Sequence, residues 1–133
     1  QVFVTDAAWA DVLDGCGRAL RAGGLLAFET RDPARRAWER WTPETTRATV
    51  ALPDGDRAET WGVVTGVEPP LVSFRYTTVF ASDGAELVST STLRFRGRDE
   101  LDASLDAAGF DVVDVRDAPD RPDDEWIYLA RRR

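Results

Sequence analysis

The side chains available for acid–base chemistry in this sequence are carboxylates, arginines and two tyrosines. The chain contains no His and no Lys, and Cys16 is its only cysteine. These absences exclude a Ser-His-Asp triad, a histidine or cysteine metal cluster, a lysine Schiff base and an internal disulfide. The candidates for a general base are therefore the carboxylates and Tyr76.

The charge balance indicates which partners the chain does not bind. The net charge is -7 and the sequence pI is about 4.6, whereas a nucleic-acid-binding surface is normally basic. The one compact basic run, Arg131 to Arg133, is interpreted as a solvated tail. No stretch approaches the roughly 20 apolar residues that span a membrane. We therefore expect neither a nucleic-acid nor a membrane partner, and the lone cysteine fits a reducing, cytoplasmic setting.

Two features of composition concern the origin of the chain. All 17 basic residues are Arg, which suggests a GC-rich coding genome. The sequence starts at Gln1 and contains no Met, so we expect a processed chain, an edited one or a fragment.

Both ends of the chain show α/β patterns. Apolar residues recur at helical spacing from Trp9 to Leu20, after a cap at Thr5 or Asp6, and Gly23 and Gly24 end that helix. A short apolar strand, Leu25 to Phe28, follows and reads as buried on both faces. Near the other end the sequence predicts a helix capped by Asp99 and closed by Gly109, a strand 110–115, a polar loop 117–125 and a last strand 126–130.

The middle of the chain shows strand patterns instead. A short helix is predicted over 34–41, ended by Pro43. Strands are predicted over 46–52, 58–67, 71–81 and 86–96, and they are joined by short turns, which is typical of an antiparallel meander. The predicted organisation is one α/β domain in three parts: a helix plus buried strand at 1–32, the insert at 33–97, and a last helix with two strands at 98–133.

Two segments resemble class I S-adenosylmethionine-dependent methyltransferases. Leu20-Arg21-Ala22-Gly23-Gly24, followed by the strand to Thr30, is similar to the helix, turn and fifth strand of that family. Leu101, Leu105, Ala108-Gly109-Phe110 and the strand after them are similar to its last helix and sixth strand. Trp126 to Arg131 then occupies the place of the seventh strand, which in that family inserts antiparallel between the fifth and the sixth.

The resemblance implies the C-terminal half of a Rossmann-like methyltransferase sheet carrying an antiparallel insert, which serves as a substrate lid. The family's glycine-rich loop and ribose-binding acid have no counterpart, since Gly15 and Gly17 fall inside a helix pattern. We therefore expect S-adenosylmethionine to be the cofactor of the complete protein, and this chain alone to be inactive and unable to bind it.

The resemblance also implies where site residues lie. Ligands of doubly wound sheets bind beyond the carboxyl ends of the strands. Cofactor contacts are expected at Gln1 and Val2, and substrate contacts at Phe3 and Arg31. Glu29 is the expected general base; the alternative is a structural carboxylate paired with Arg31 or Arg35.

Substrate contacts are further expected from the insert. The expected residues are Trp38, Trp41, Trp61, Arg75 and Tyr76. The tryptophans either line an apolar pocket or pack the insert. Phe74 and Tyr76 share one strand face and Arg75 takes the other, where it either binds a substrate carboxylate or is solvated or paired with a nearby acid.

Three functional interpretations remain open at this stage. The first is a methyltransferase fragment acting on a small molecule, the second a non-catalytic α+β module binding a small ligand, and the third a structural or dimerising remnant. An uncovered sheet edge beside the buried strand at 25–28 would favour a homodimer or a domain-swapped assembly.

Overall fold

The computed structural model describes all 133 residues and divides them into two compact units. The first unit comprises Gln1–Ala37 and Arg94–Arg133, and the second comprises Trp38–Leu93. The sequence predicted an insert over 33–97, and the second unit falls within that range. The mixture of helices and antiparallel sheets is the predicted α/β character of the chain.

The first unit contains a three-stranded sheet in which the last strand lies in the middle. The strands are β1 (Leu25–Arg31), β6 (Phe110–Ala118) and β7 (Arg121–Arg132), in the order β1-β7-β6. Because β7 runs antiparallel to both neighbours, β1 and β6 run parallel to each other. The predicted place of the last strand is confirmed.

Two helices of the first unit supply its core. Helix α1 (Asp6–Ala19) begins after Thr5, whose hydroxyl accepts a hydrogen bond from the Ala8 amide. Helix α3 (Arg98–Ala107) begins after Gly97, so the predicted cap at Asp99 is wrong, and Gly109 follows the helix at a φ of 83° that glycine tolerates. The fully buried core side chains come from both helices and the sheet: Leu13, Leu101, Leu105, Phe110, Tyr128 and Ala130.

The predicted polar loop over 117–125 is wrong. Strand β6 continues to Ala118, β7 begins at Arg121, and Ala118 pairs with Arg121 across a two-residue turn. Polar residues occupy the hairpin because most of its side chains face solvent, while its backbone is satisfied by the ladder. Ala118 and Glu125 are buried there.

The second unit contains a four-stranded antiparallel sheet. Its strands are β2 (Ala48–Ala51), β3 (Arg57–Glu68), β4 (Leu71–Phe80) and β5 (Glu86–Arg94), in that order, and β5 runs on into the first unit at Arg94. A bulge interrupts β3 between Val64 and Gly66. The predicted meander is confirmed, with strand ends shifted by a few residues.

The stretch between β1 and β2 differs from the predicted single helix. Two turns of 3-10 helix, Pro33–Arg35 and Ala37–Arg40, are separated by Arg36, whose φ of 47° interrupts the helical path. Helix α2 (Pro43–Thr46) then starts at Pro43, because proline fits the first position of a helix, where its missing N–H is not needed. None of the helices is long and apolar enough to cross a membrane.

Candidate functional site

The carboxyl end of β1 presents different side chains on its two faces. Phe28 and Thr30 lie on the face that packs against the helices, and Thr30 is buried. Glu29 and Arg31 alternate with them and lie on the opposite face. There Glu29 is exposed and stands opposite Ile127 of β7, while Arg31 stands opposite Glu125. The structure therefore brings the predicted Glu29 and Arg31 to the same face at the same end of the sheet.

A buried carboxylate organises the arginines on this face. Glu125 is 4% exposed, and its Oε1 lies 3.4 Å from Nε of Arg31. Its Oε2 accepts a hydrogen bond from Arg121. This hydrogen bond, with the charges of Glu125, Asp120 and Glu29, raises the pKa of Arg121 above its ordinary value. Glu29 is thus within electrostatic reach of Arg121.

The alternative partners that the sequence suggested for Glu29 are engaged elsewhere. Arg31 contacts Glu125, and Arg35 contacts Asp32 and Asp123. Sequence reasoning missed Glu125 and Arg121 because it placed them in a loop. The strand pairing of Arg31 with Glu125 is the signal that would have found them, since opposite charges on paired strands attract.

A second arginine cluster fixes residues 1 to 5 of the first unit. The Arg96 side chain is 3% exposed, and its guanidinium donates to the carbonyl oxygens of Phe3 at 2.9 Å and Thr5 at 3.2 Å. It also lies over the Trp9 ring, 5.4 Å from the centroid. Burial, followed by the neighbouring charge of Arg94, lowers the pKa of Arg96. Arg96 therefore shapes a segment that has no regular structure of its own.

Arg94 acts on the same segment from the end of β5. Its amide donates to the Gln1 carbonyl at 2.9 Å, and its guanidinium donates to the Val4 carbonyl at 3.3 Å. Asp6 and Glu100 lie 2.8 and 2.9 Å from that guanidinium. A cavity of about 20 Å³ is lined by Gln1, Thr30 and both arginines. Gln1 and the expected site at β1 thus line one cavity.

Phe3 and Val2, the other site residues expected in the opening segment, differ in their burial. Phe3 is half-buried and its ring centroid lies 6.4 Å from that of Trp9, which in turn stands edge-on to Phe28 at 5.7 Å. Val2 is 68% exposed. Phe3 therefore belongs to the aromatic packing of the first unit, whereas Val2 is open to solvent.

The second unit carries an aromatic cluster on one face of its sheet. Phe74 stands edge-on to Trp41 at 5.6 Å and to Tyr76 at 5.9 Å. A Cβ added to Gly62 would lie 2.8 Å from the Tyr76 ring, so this ring covers the glycine on the neighbouring strand. The prediction that Phe74 and Tyr76 share a face is confirmed.

Trp61 lies on the other face of that sheet. This placement follows from the alternation of side chains along a strand. Gly62 lies on the same face as Tyr76, so the side chain of its neighbour Trp61 points to the opposite face. Arg47 lies over the Trp61 ring at 4.6 Å and forms an ion pair with Glu59, and Arg75 shares this face. The predicted pocket that combines Trp41 and Trp61 is therefore wrong for this sheet. Trp38 is buried within the unit.

Two larger surface cavities lie within single units. One, of about 560 Å³, runs between α1 and α3 and is lined by Trp9, Ala10 and Leu13, with Ser104 bonded to the Trp9 indole at 2.9 Å. The other, of about 540 Å³, lies over the Trp61 face of the second unit. No group of three or more acidic, histidine or cysteine side chains is arranged to hold a metal ion.

The fold described above is shared with solved methyltransferases. An S-adenosylmethionine-dependent methyltransferase from Clostridium acetobutylicum superposes with a TM-score of 0.69 at 11% identity, over 96% of this chain and 52% of its own. DesVI of Streptomyces venezuelae gives 0.67 at 14% identity, over 99% and 54%. The sugar N-methyltransferase KedS8 from a Streptoalloteichus species gives 0.66 at 19% identity, over 99% and 52%.

These similarities establish the fold and its extent. The chain spans about half the length of the solved methyltransferases that it matches. No protein-family model and no curated protein sequence matches it. The resemblance drawn from residues 20–30 and 99–115 is thus supported by structure where sequence similarity is too low to be informative.

Proposed function

We propose that this chain is part of an S-adenosylmethionine-dependent methyltransferase that acts on a small molecule. The main support for the proposal is the strand arrangement in the sheet of the first unit, where β1 and β6 are parallel and β7 lies antiparallel between them. The fold match over 96 to 99% of the chain supports it. In this proposal the first unit is the C-terminal half of a Rossmann-like sheet.

The cofactor is held mainly by residues outside these 133. Gly15 and Gly17 lie in the middle of α1, so neither belongs to a glycine-rich loop after a strand, where backbone amides contact the cofactor of such folds. Gln1 is half-buried beside Arg94 and Arg96, and Gln1 and Val2 are the proposed cofactor contacts of this chain. The residues present do not amount to a cofactor site.

Glu29 is the proposed general base. It is an exposed carboxylate at the carboxyl end of β1, where Arg31 contacts Glu125 and Arg35 contacts Asp32 and Asp123. A carboxylate there can accept the proton that a nucleophile loses on methylation. Arg31, held by Glu125, and Phe3 are the proposed substrate contacts of the first unit. In the second unit the proposed contacts are Trp41 and Tyr76 on one sheet face, since Trp61 and Arg75 lie on the other face and Trp38 is buried.

An amine is the methyl acceptor to test first. KedS8 is described as a sugar N-methyltransferase, and CalS10 from Micromonospora echinaspora, another structural neighbour, as an amino pentose methyltransferase bound to S-adenosylmethionine. An exposed carboxylate near the site would attract a protonated amine and then take its proton. This acceptor class is a proposal for the present chain.

Calorimetric titration with S-adenosylhomocysteine tests the proposal. The complete gene product and the 133-residue chain are titrated in parallel. We expect micromolar binding by the complete product and none by the shorter chain. If neither binds S-adenosylhomocysteine, the methyltransferase proposal is wrong. If the shorter chain binds it tightly, the proposal that the cofactor is held mainly by residues outside these 133 is wrong.

A non-catalytic small-ligand module is the second proposal. The aromatic face made by Trp41, Phe74 and Tyr76 favours it, because Tyr76 is 37% exposed and could stack on an apolar ligand. This module would bind its ligand whether or not S-adenosylmethionine is present.

We also propose that the free edge of β1 takes another strand. Strand β1 pairs with β7 on one side and ends the sheet on the other. The strand can come from the rest of the same protein or, in a homodimer, from a second copy.

A further inference from the structure

The surface groove between α1 and α3 has the size of a small-molecule site. All residues that line it belong to the first unit. Its volume is about 560 Å³, and ligand pockets commonly measure about 300 to 1,000 Å³. Helix α3 has ten residues and is therefore about 15 Å long. That length suits one small molecule better than a docked helix of several turns.

Alanines keep the groove open and make its floor apolar. Ala10 of α1 lines the groove, and Ala107 and Ala108 line it at the end of α3. Leu13 also lines the groove and is 1% exposed, so it forms part of the floor. Larger side chains at the alanine positions would fill this space. A ligand that covers the apolar floor removes it from water, which favours binding.

The Trp9 wall of the groove is held in place by the protein itself. The indole Nε1 of Trp9 donates to the Ser104 hydroxyl at 2.9 Å, and that hydroxyl donates to the Leu101 carbonyl at 2.7 Å. The Arg96 guanidinium lies over the Trp9 ring, 5.4 Å from its centroid. Because these contacts fix the ring before binding, little side-chain freedom is lost when a ligand arrives.

The charged residues that line the groove are all acidic. They are Asp6, Asp14 and Glu100. Helix α1 carries three carboxylates and one arginine, and α3 carries four carboxylates and one arginine. An acidic rim around an apolar floor attracts a ligand that is both cationic and apolar, and it repels an anion.

Asp14 is the rim carboxylate best able to pair with a ligand cation. Asp6 and Glu100 are engaged with Arg94, whose guanidinium lies 2.8 and 2.9 Å from their carboxylates. Asp14 pairs with Arg18 on the same helix, and both side chains are more than half exposed. Because so exposed an ion pair contributes little to stability, a ligand cation can replace Arg18 at small cost.

We propose that the groove between α1 and α3 is a binding site for a small apolar molecule that carries one protonated amine. The apolar body of the ligand lies over Ala10 and Ala107 beside the Trp9 ring, and its ammonium group pairs with Asp14. One ligand can contact both Ala10 and Asp14, because they are one helical turn apart on the same face of α1. The groove lies on the helical side of the sheet, whereas Glu29 lies on the opposite face, so this site is separate from the proposed methylation site.

Three naphthalene compounds of similar shape test the proposal on the complete gene product. They are naphthylmethylamine, which is a cation at neutral pH, the neutral naphthylmethanol and the anion naphthoate. Calorimetry measures their dissociation constants, and changes in the amide NMR spectrum locate the bound compound. We expect the amine to bind with a dissociation constant of about 1 mM or tighter and the alcohol about tenfold more weakly. Naphthoate should not bind, and the amine should shift amide signals of α1 and α3.

Asp14→Asn and Asp11→Asn form a matched pair of variants. Each removes one exposed carboxylate from α1, but Asp11 does not line the groove. We expect Asp14→Asn to weaken binding of the amine about tenfold and to leave binding of the alcohol unchanged. Asp11→Asn should change neither dissociation constant.

A third variant, Ala107→Phe, fills the groove. Ala107 is exposed, so the larger side chain replaces solvent rather than core atoms. We expect the variant to bind neither the amine nor the alcohol, while its midpoint of thermal unfolding stays close to that of the unchanged protein.

Three results would overturn the proposal. Equal affinity for the amine and for naphthoate would show that the acidic rim does not select a cation. Equal effects of Asp14→Asn and Asp11→Asn would show that Asp14 does not pair with the ligand. No saturable binding of the amine, or amide shifts confined to β1, would show that the groove takes no such ligand. None of these results bears on the proposed methyltransferase function, which the titration with S-adenosylhomocysteine tests separately.

Discussion

Replacing Arg96 by Met should destabilise the first unit strongly, although it removes a buried charge. The change leaves the carbonyl oxygens of Phe3 and Thr5 without their donor, and a hydrogen bond from a charged group contributes about 1.5 to 3 kcal/mol. Removing the buried guanidinium also relieves its desolvation cost, the cause that lowers its pKa. We expect the net loss in the free energy of unfolding to be about 3 kcal/mol.

The matched control is Arg98→Met on the same stretch of chain. Arg98 is half-exposed, and its Nε lies 3.9 Å from Asp102; such an exposed pair contributes less than about 1 kcal/mol. Hydrogen exchange of the β7 amides in increasing urea reports the opening of the first unit for both variants. The amides of residues 3 to 5 should also exchange faster in Arg96→Met alone.

Equal destabilisation by the two substitutions would refute the reasoning. It would mean that the two carbonyl contacts of Arg96 contribute no more than an exposed ion pair. Normal protection of residues 3 to 5 in Arg96→Met would separately show that the arginine does not hold this segment.

Three further predictions follow from buried contacts. Burial raises the pKa of Tyr128 to about 12, so the contribution of its neutral form to the free energy of unfolding should be fully present below pH 10 and be lost as the pH rises toward 12. Unfolding curves measured at alkaline pH should show a smaller fall in the free energy of unfolding for Tyr128→Phe. Gly62→Ala should lower the free energy of unfolding by about 1 to 3 kcal/mol, because the new Cβ meets the Tyr76 ring; Tyr76→Ala in the same chain should restore part of the loss in urea unfolding. Glu125→Gln should cost about 2 kcal/mol because it removes the buried carboxylate charge from the ion pairs with Arg31 and Arg121, and a thermal shift no larger than that of an exposed Glu→Gln change would contradict this.

The sequence predicted the elements whose pattern is local. The apolar spacing from Trp9 predicts α1 correctly, but the predicted end at the double glycine is wrong: the helix ends at Ala19, Leu20 is already extended, and Gly23 lies in the turn that follows. Turn residues divide the middle of the chain into four strands, and alternation on β4 separates Phe74 from Arg75. Such features depend on neighbours within a few residues, so the sequence alone contains them.

The elements and contacts that were missed depend on pairing across the chain. The hairpin near Pro119 was predicted as a loop because its strands are polar, and their stability comes from the β7 ladder rather than from apolar alternation. Glu125 and Arg96 were missed for the same reason. Each contacts residues more than 90 positions away in sequence, and no local spacing indicates such partners.

The central place of β7 has a consequence for the order in which the chain can fold. Strand β1 must wait for partners about 100 residues further along the chain, and β6 gains its sheet neighbour only when β7 follows it. Contacts of such long separation form slowly. During synthesis the strands 48–94 can pair with their neighbours as they emerge, whereas β1 lacks its neighbour β7 until the residues from Arg121 onward have left the ribosome. We therefore expect a chain truncated before Arg121 to keep the ordered second unit and to leave β1 exposed to aggregation.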